Sequence, residues 1–285
     1  MTISIDNPKT SRWKKRFEDW HRNNSCDDDG SHDVSHFRRV ANMALEMVSN
    51  SQESVDSDIL IAAAYFHDIV NLPKNHPNRA LASTLSGKKA DEILRSLSFP
   101  KDKLNAVSHA IAAHSFSAQI PPETLEAKYL QDADRMEALG AIGLMRTFYI
   151  SGKLQRSCYD SKDPLAKHRP LDDSNYGLDH FEVKLLRLKD QMQTNAGKSM
   201  AQERVDTLIR FRKELVEEIL KDQSGEKCQI TEFFRLSGFK NGLLLHPTDP
   251  FANDRGLDPE KYALDAVTLK FPESWFLSEA KNELC

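Results

Sequence analysis

The sequence predicts an all-α fold, a helical bundle followed by a C-terminal appendage. Apolar residues recur at three- and four-residue intervals through the first four-fifths of the chain, and no segment shows a strand signal that competes with them. With 285 residues, 39% hydrophobic and 29% charged, there is enough apolar material for a sizeable core. The periodicity then fails after about residue 222, so we divide the chain into a helical core over 1–222 and an extension over 223–285, whose role the sequence leaves open.

The elements follow in order. Trp13, Phe17 and Trp20 fall at i, i+4, i+7 on one stripe of a first helix. His36, Val40, Met43 and Met47 share one face of a second, and Arg38, Asn42 and Glu46 share another. A third begins near Ser57-Asp58, a capping pair, and runs through "ILIAAAYFHDIV" until Pro73 ends it. Being apolar nearly all round, it belongs at the centre. Leu104, Val107, Ile111 and His114 make a further stripe. "QDADRMEALGAIGLMRTFYI" predicts one long helix in which Gly140 and Gly143 permit close helix packing. Phe181, Leu185, Leu188 and Met192 repeat the pattern, as do Leu208, Phe211, Leu215 and Ile219. Between these, residues 151–179 are polar and rich in turn formers, which predicts a long surface loop of the kind that covers a site.

Charge and cysteine content narrow the class. With 39 basic and 43 acidic residues the formal net charge is −4, which gives no sign of a general nucleic-acid or anionic-membrane binder. Cys26, Cys158, Cys228 and Cys285 lie far apart without C-x-x-C spacing, as in a reducing compartment. "MTISIDNPKTSRWKKRFEDW" has no apolar signal core and no stretch has membrane-spanning length, so a cytoplasmic location is expected.

"YFHDIV" places His67 and Asp68 side by side in an apolar run. Burying an unpartnered polar group costs about 1–3 kcal/mol and a charge costs more, so both need partners. His36 projects inward from its helix, and Asp132 and Asp134 open another apolar stretch. His36, His67, Asp68 and one of those two aspartates would form a mixed nitrogen and oxygen set suited to Mn, Fe, Co, Ni, Zn or Mg. Taken singly, each residue has an ordinary reading as a hydrogen-bonded core histidine or a helix cap. The combination on three helical segments points to a metal.

The order H…HD…D, in "SHDVSHFRRV", "YFHDIV" and "QDADRMEALGAIG", together with "IAAHSFSAQ" and "LDHFEVKLLRLKDQM", resembles the HD-domain superfamily of metal-dependent phosphohydrolases. Over about residues 10–235 it is similar to the bacterial YedJ-like group within it. The resemblance implies an HD-domain helical bundle, with His36, His67, Asp68 and Asp134 as ligands of a divalent ion, Mn favoured. It implies hydrolysis of a phosphoester or phosphoanhydride by a metal-activated water, with a small phosphorylated molecule, a nucleotide, as substrate. Nucleoside triphosphate pyrophosphohydrolase and nucleotidase both fit. A cyclic or linear phosphodiesterase is the alternative if His109 or His114 binds a second ion, and a catalytically weak metal- or nucleotide-binding regulator is the alternative from another class. Many relatives carry an acid or histidine one turn after the HD pair, where this chain has Asn71, which cannot take a proton. Asp68, as a base, and Arg135, as a further cation, are therefore the catalytic candidates. Lys74, His76 and Arg79 in "NLPKNHPNRA" are the candidates for binding the phosphates. His114 is a substrate-binding or supporting residue, and Asp132 caps its own helix or orients a ligating histidine.

Overall fold

The structure is a computed structural model that describes residues 8–24, 34–70, 72, 76–224, 239–240 and 243–244. It divides into two compact units, Met1–Phe211 and Arg212–Cys285. Nine α-helices are described: α1 Pro8–Asn24, α2 Val34–Ser49, α3 Ser57–Phe66, α4 Ala82–Ser96, α5 Leu104–His114, α6 Leu125–Met136, α7 Gly140–Lys153, α8 Asp179–Val183 and α9 Asn195–Ser224. The second unit contains a two-residue antiparallel pair, β1 Phe239–Lys240 and β2 Leu243–Leu244. Among the described residues no helix is long and apolar enough to cross a membrane.

Helix α3 is central because every residue from Ile59 to Phe66 is buried, and it packs against α1, α2, α5 and α6. Its N-cap is Asp56 rather than the Ser57-Asp58 pair. The Asp56 carboxylate accepts from the backbone N–H of Asp58 (3.0 Å) and Ile59 (3.3 Å), and Lys103 bridges to both aspartates. The helix also ends earlier than its apolar run suggests. It stops at Phe66, with His67 as C-cap and Asp68 in the turn beyond, while Pro73 lies outside the described residues. A ring from α1 holds that end: His21, itself buried, donates from Nε2 to the carbonyl of Tyr65 at 2.8 Å and lies between Phe37 and Phe66. This carbonyl is one of the four that a helix C-terminus leaves without an internal partner.

The long helix expected over "QDADRMEALGAIGLMRTFYI" is two helices. The N–H groups of Glu137, Ala138 and Leu139 turn back to the carbonyls of Asp134, Arg135 and Met136 (3.0–3.1 Å), and Gly140 follows at φ +66°. That left-handed backbone favours glycine. Gly143 does permit a close approach, but to the backbone of Ala138 in this turn, where a Cβ has no room. Arg204 of α9 closes the break by donating to the Met136 carbonyl at 2.8 Å.

Asp132 does not cap its own helix. It is fully buried inside α6 and accepts from the N–H groups of Gln193 and Thr194 and from the Thr194 hydroxyl, each at 2.8 Å, so it anchors Thr194, whose hydroxyl oxygen caps α9 by accepting from the Gly197 N–H at 2.9 Å. Of the hydrophobic positions after residue 180, Phe181, Leu185, Leu188, Met192, Leu208 and Ile219 are buried as their spacing implies, whereas Phe211 and Leu215 are half-buried. Phe181 lies in the short α8, however, and Leu185 and Leu188 lie in a 3-10 segment, Leu185–Gln191. The polar loop starts only after α7 ends at Lys153. Its far end is pinned by Asp179, which accepts from Arg169 (2.5 and 2.9 Å) and from the N–H of Asp172 (2.7 Å).

Candidate metal centre

Four helical segments bring the site together. His36 sits on the buried face of α2 with Val40, Ala44 and Met47. His67 and Asp68 occupy the turn after α3, His114 is the last residue of α5, and Asp134 lies near the end of α6. The Nε2 atoms of His36 and His67 are 3.3 Å apart, and Asp134 Oδ1 lies 3.9 and 3.6 Å from them. Asp68 Oδ2 is 3.8 Å from His67 Nε2, and its other oxygen is 3.4 Å from His114 Nε2. Two overlapping groups, His36–His67–Asp134 and His67–Asp68–His114, could each hold a metal ion.

The tautomers make this more than a cluster. His67 Nδ1 contacts the carbonyl of Ala64 at 2.9 Å and His114 Nδ1 that of Ile111 at 2.6 Å. A carbonyl only accepts, so both rings carry their hydrogen on Nδ1, and each Nε2 faces the cluster with a lone pair when its ring is neutral. His36 Nδ1 contacts the Glu137 carboxylate at 3.2 Å, across 101 residues of sequence. Two such Nε2 atoms at 3.3 Å repel unless a positive centre lies between them. Donors about 2.1 Å from an ion sit about 3.0 Å apart across an octahedral edge and about 3.4 Å apart in a tetrahedron. The observed 3.3–3.9 Å is therefore the scale of a coordination shell, which an ion would tighten slightly. The mixed imidazole and carboxylate set, without thiolate, fits a divalent ion of the Mn-to-Zn series or Mg.

Without an ion, the cluster's charge distribution supplies a proton in its place. Burial alone would push His67 down, but Asp68 and Asp134 overcome it and hold His67 up at about 9. His36 moves the other way, lowered first by burial. Of the two rings, His67 is therefore the one that more readily holds a proton. Burial would raise Asp68 and Asp134, yet the neighbouring His67 and His114 keep both carboxyls well below their ordinary range. For Glu137, burial is likewise outweighed by its bonds to His36 and Arg39, which hold it at about 2.

The other candidates fall in different places. Arg135 donates to the carbonyl of Gln191, so its guanidinium engages the 3-10 segment. His76 Nδ1 accepts from the N–H of Asn78 at 3.1 Å, and Arg79 donates to the Leu72 carbonyl. Both bonds brace the loop after the HD turn. Lys74 and Asn71 lie outside the described residues. His109 accepts from the N–H of Glu123 (3.1 Å). Glu137, Arg39 and Arg146 were not singled out by the sequence reading, although Glu137 stands at i+3 from Asp134 and Arg39 at i+3 from His36. That spacing puts each on the site-facing side of its helix.

Residues 33–139 match the family described as HD domain. The solved structure of an HD-superfamily hydrolase from Bacillus thuringiensis is 30% identical, covering 75% of this chain and 96% of its own, with a TM-score of 0.52. The chain belongs to the HD superfamily. Within that superfamily it is 29% identical over 215 residues to the uncharacterised protein YpgQ of Bacillus subtilis (strain 168), covering 74% of this chain and 96% of YpgQ. A crystal structure of YpgQ in complex with ADP matches at 25% identity and a TM-score of 0.55, covering 73% of this chain and 96% of that one. His67-Asp68 lies within the matched residues, and His67 is the ring that both donor groups share.

Proposed function

We propose that this chain is a metal-dependent phosphohydrolase that cleaves a phosphoester or phosphoanhydride of a nucleotide, with one divalent ion held by His36, His67, Asp68 and Asp134. The observation that carries the reading is the convergence of Nε2 lone pairs and carboxylates whose other hydrogen-bonding positions are already committed. The nucleotide class is supported by the ADP bound to YpgQ. When bound, a divalent ion in such a site polarises a phosphoryl oxygen and lowers the pKa of water toward 7.

The protein's own contribution is orientation and access. Both histidine side chains are shut off from solvent (1% and 0% exposed), whereas Asp68 and Asp134 are 22% and 31% exposed, so substrate reaches the centre from the carboxylate side. A carboxylate held as far down as Asp68 accepts protons poorly, which favours a ligand's role over a base's. His114 keeps Asp68 ionised from the opposite side of the dipeptide.

Metal analysis of the purified protein followed by a nucleotide and phosphate-ester screen with Mn²⁺, Co²⁺ and Ni²⁺ tests the reading. We expect about one ion per chain, loss of it in His36→Ala and His67→Ala, and turnover abolished by EDTA. Full metal content in both variants would refute the ligand assignment. Absence of any metal-dependent turnover would leave a metal- or nucleotide-binding regulator. A second reading, a cyclic or linear phosphodiesterase, is favoured by the His67–Asp68–His114 group, and two ions per chain would select it.

A further inference from the structure

We propose that Glu137 is a positioning residue for this centre: its carboxylate accepts the Nδ1–H of His36 and so turns the Nε2 lone pair of that ring toward His67 and Asp134. The inference rests on the metal reading above. Glu137 is the first residue past α6, one turn beyond Asp134, and is buried at 4% exposure. Its Oε2 lies 3.2 Å from His36 Nδ1. Arg39 grips the same carboxylate through Nε (2.9 Å) and Nη2 (2.7 Å), and also donates to the Ser35 hydroxyl at 3.0 Å. Arg146 of α7 comes within 3.7 Å of Glu137 Oε2 and 3.2 Å of His36 Nδ1.

These contacts place conflicting demands on one nitrogen, since a carboxylate only accepts and a guanidinium only donates. The charge-assisted bond to Glu137 decides between them. Arg146 is then a charge partner of the same carboxylate at 3.7 Å, and the two arginines neutralise a buried acid that would otherwise be costly. A ligating histidine whose second nitrogen is held by a carboxylate has a fixed orientation and greater basicity, and removing such a partner typically costs 10–100-fold in metal affinity.

The test compares wild type, Glu137→Gln and Glu137→Leu as full chains, with Zn²⁺ as the diamagnetic probe. Zn²⁺ affinity is measured by competition with a chromophoric chelator, and the His36 tautomer by ¹⁵N chemical shifts of the Zn²⁺-loaded protein. Melting in EDTA reports folding. We expect wild type to bind Zn²⁺ through His36 Nε2 with Nδ1 protonated. Affinity should fall about tenfold in Glu137→Gln, which keeps an acceptor oxygen, and toward 100-fold in Glu137→Leu, which does not. If Glu137→Leu fails to fold, the wild-type tautomer and Glu137→Gln still decide. Coordination through His36 Nδ1, or variants that melt lower yet bind Zn²⁺ within twofold of wild type, would overturn the positioning role alone. A wild type that binds no Zn²⁺ would overturn the metal reading and this inference with it.

Discussion

Asp132 and Asp134 stand two residues apart on one helix, and the structure assigns them opposite consequences when removed. Their side chains diverge by about 200° around the helix axis. Asp134 lies at the donor cluster, whereas Asp132 accepts three hydrogen bonds of 2.8 Å at the start of α9. Asp132→Ala strands two backbone N–H groups and one hydroxyl in a buried setting. Each bond to a charged group is worth about 1.5–3 kcal/mol, and the Thr194 cap that these bonds orient about 0.5–2. These terms are not additive, so a loss of about 3–4 kcal/mol is reasonable, and at roughly 2–4 °C per kcal/mol the melting temperature should drop by about 10 °C. Metal affinity in the folded Asp132 variant should stay within about threefold. Asp134→Ala should cut metal affinity at least a hundredfold, and in EDTA it should cost only part of the about 3 kcal/mol carried by protonated His67, since Asp68 remains to hold that ring up. Calorimetry in EDTA and chelator competition on the same preparations read both effects. Loss of metal in Asp132→Ala at an unchanged melting temperature, with normal metal in Asp134→Ala, would show that the carboxylates have been assigned the wrong way round.

The metal-free protein should lose stability as pH rises. His67 is held at about 9 against an ordinary 6.5, so its contribution is fully present below 6.5 and disappears as pH climbs through 9, about 3 kcal/mol in all. Over the same range, metal affinity should rise about tenfold per pH unit as ion and proton compete for His67; a melting temperature in EDTA that is flat from pH 6.5 to 9 would contradict a proton held on His67. A chain ending at residue 222 should keep its metal, because His36, His67, Asp68, Asp134 and Glu137 all lie within the unit Met1–Phe211, and metal loss from a truncated chain with a native circular dichroism spectrum would contradict this.

What was legible in the sequence is what periodicity controls. The stripe through His36, Val40 and Met47 placed one ring inward, and the two-residue spacing of Asp132 and Asp134 implied that they point apart. Element ends were less legible. "ILIAAAYFHDIV" gives no apolar interruption at Phe66, yet the helix stops there because α1 supplies His21 to the Tyr65 carbonyl and the His67 ring turns back to Ala64. Gly140 was read as a packing residue, but at φ +66° it marks the break between α6 and α7. The role of Asp132 depended on a helix that begins 63 positions later, at Asn195, and no local pattern reports that.

The parts that escaped the sequence share a cause, which bears on how the centre works. A histidine can be assigned to a site by its helical face, but the nitrogen it presents is set by whatever its other nitrogen touches. For His67 and His114 that partner is a carbonyl three residues back, Ala64 and Ile111, so the backbone itself sets the tautomer wherever the chain takes this local geometry. For His36 the acceptor described is the Glu137 carboxylate, 101 residues away. The site is therefore built asymmetrically. Two rings are held by the turns that carry them, while the third is held across the fold by Glu137, which Arg39 grips with Arg146 nearby. Metal binding at His36 is then coupled to folding through the Glu137 contact, and an ion that draws on His36 stabilises the α2–α6 contact as well as the donors themselves.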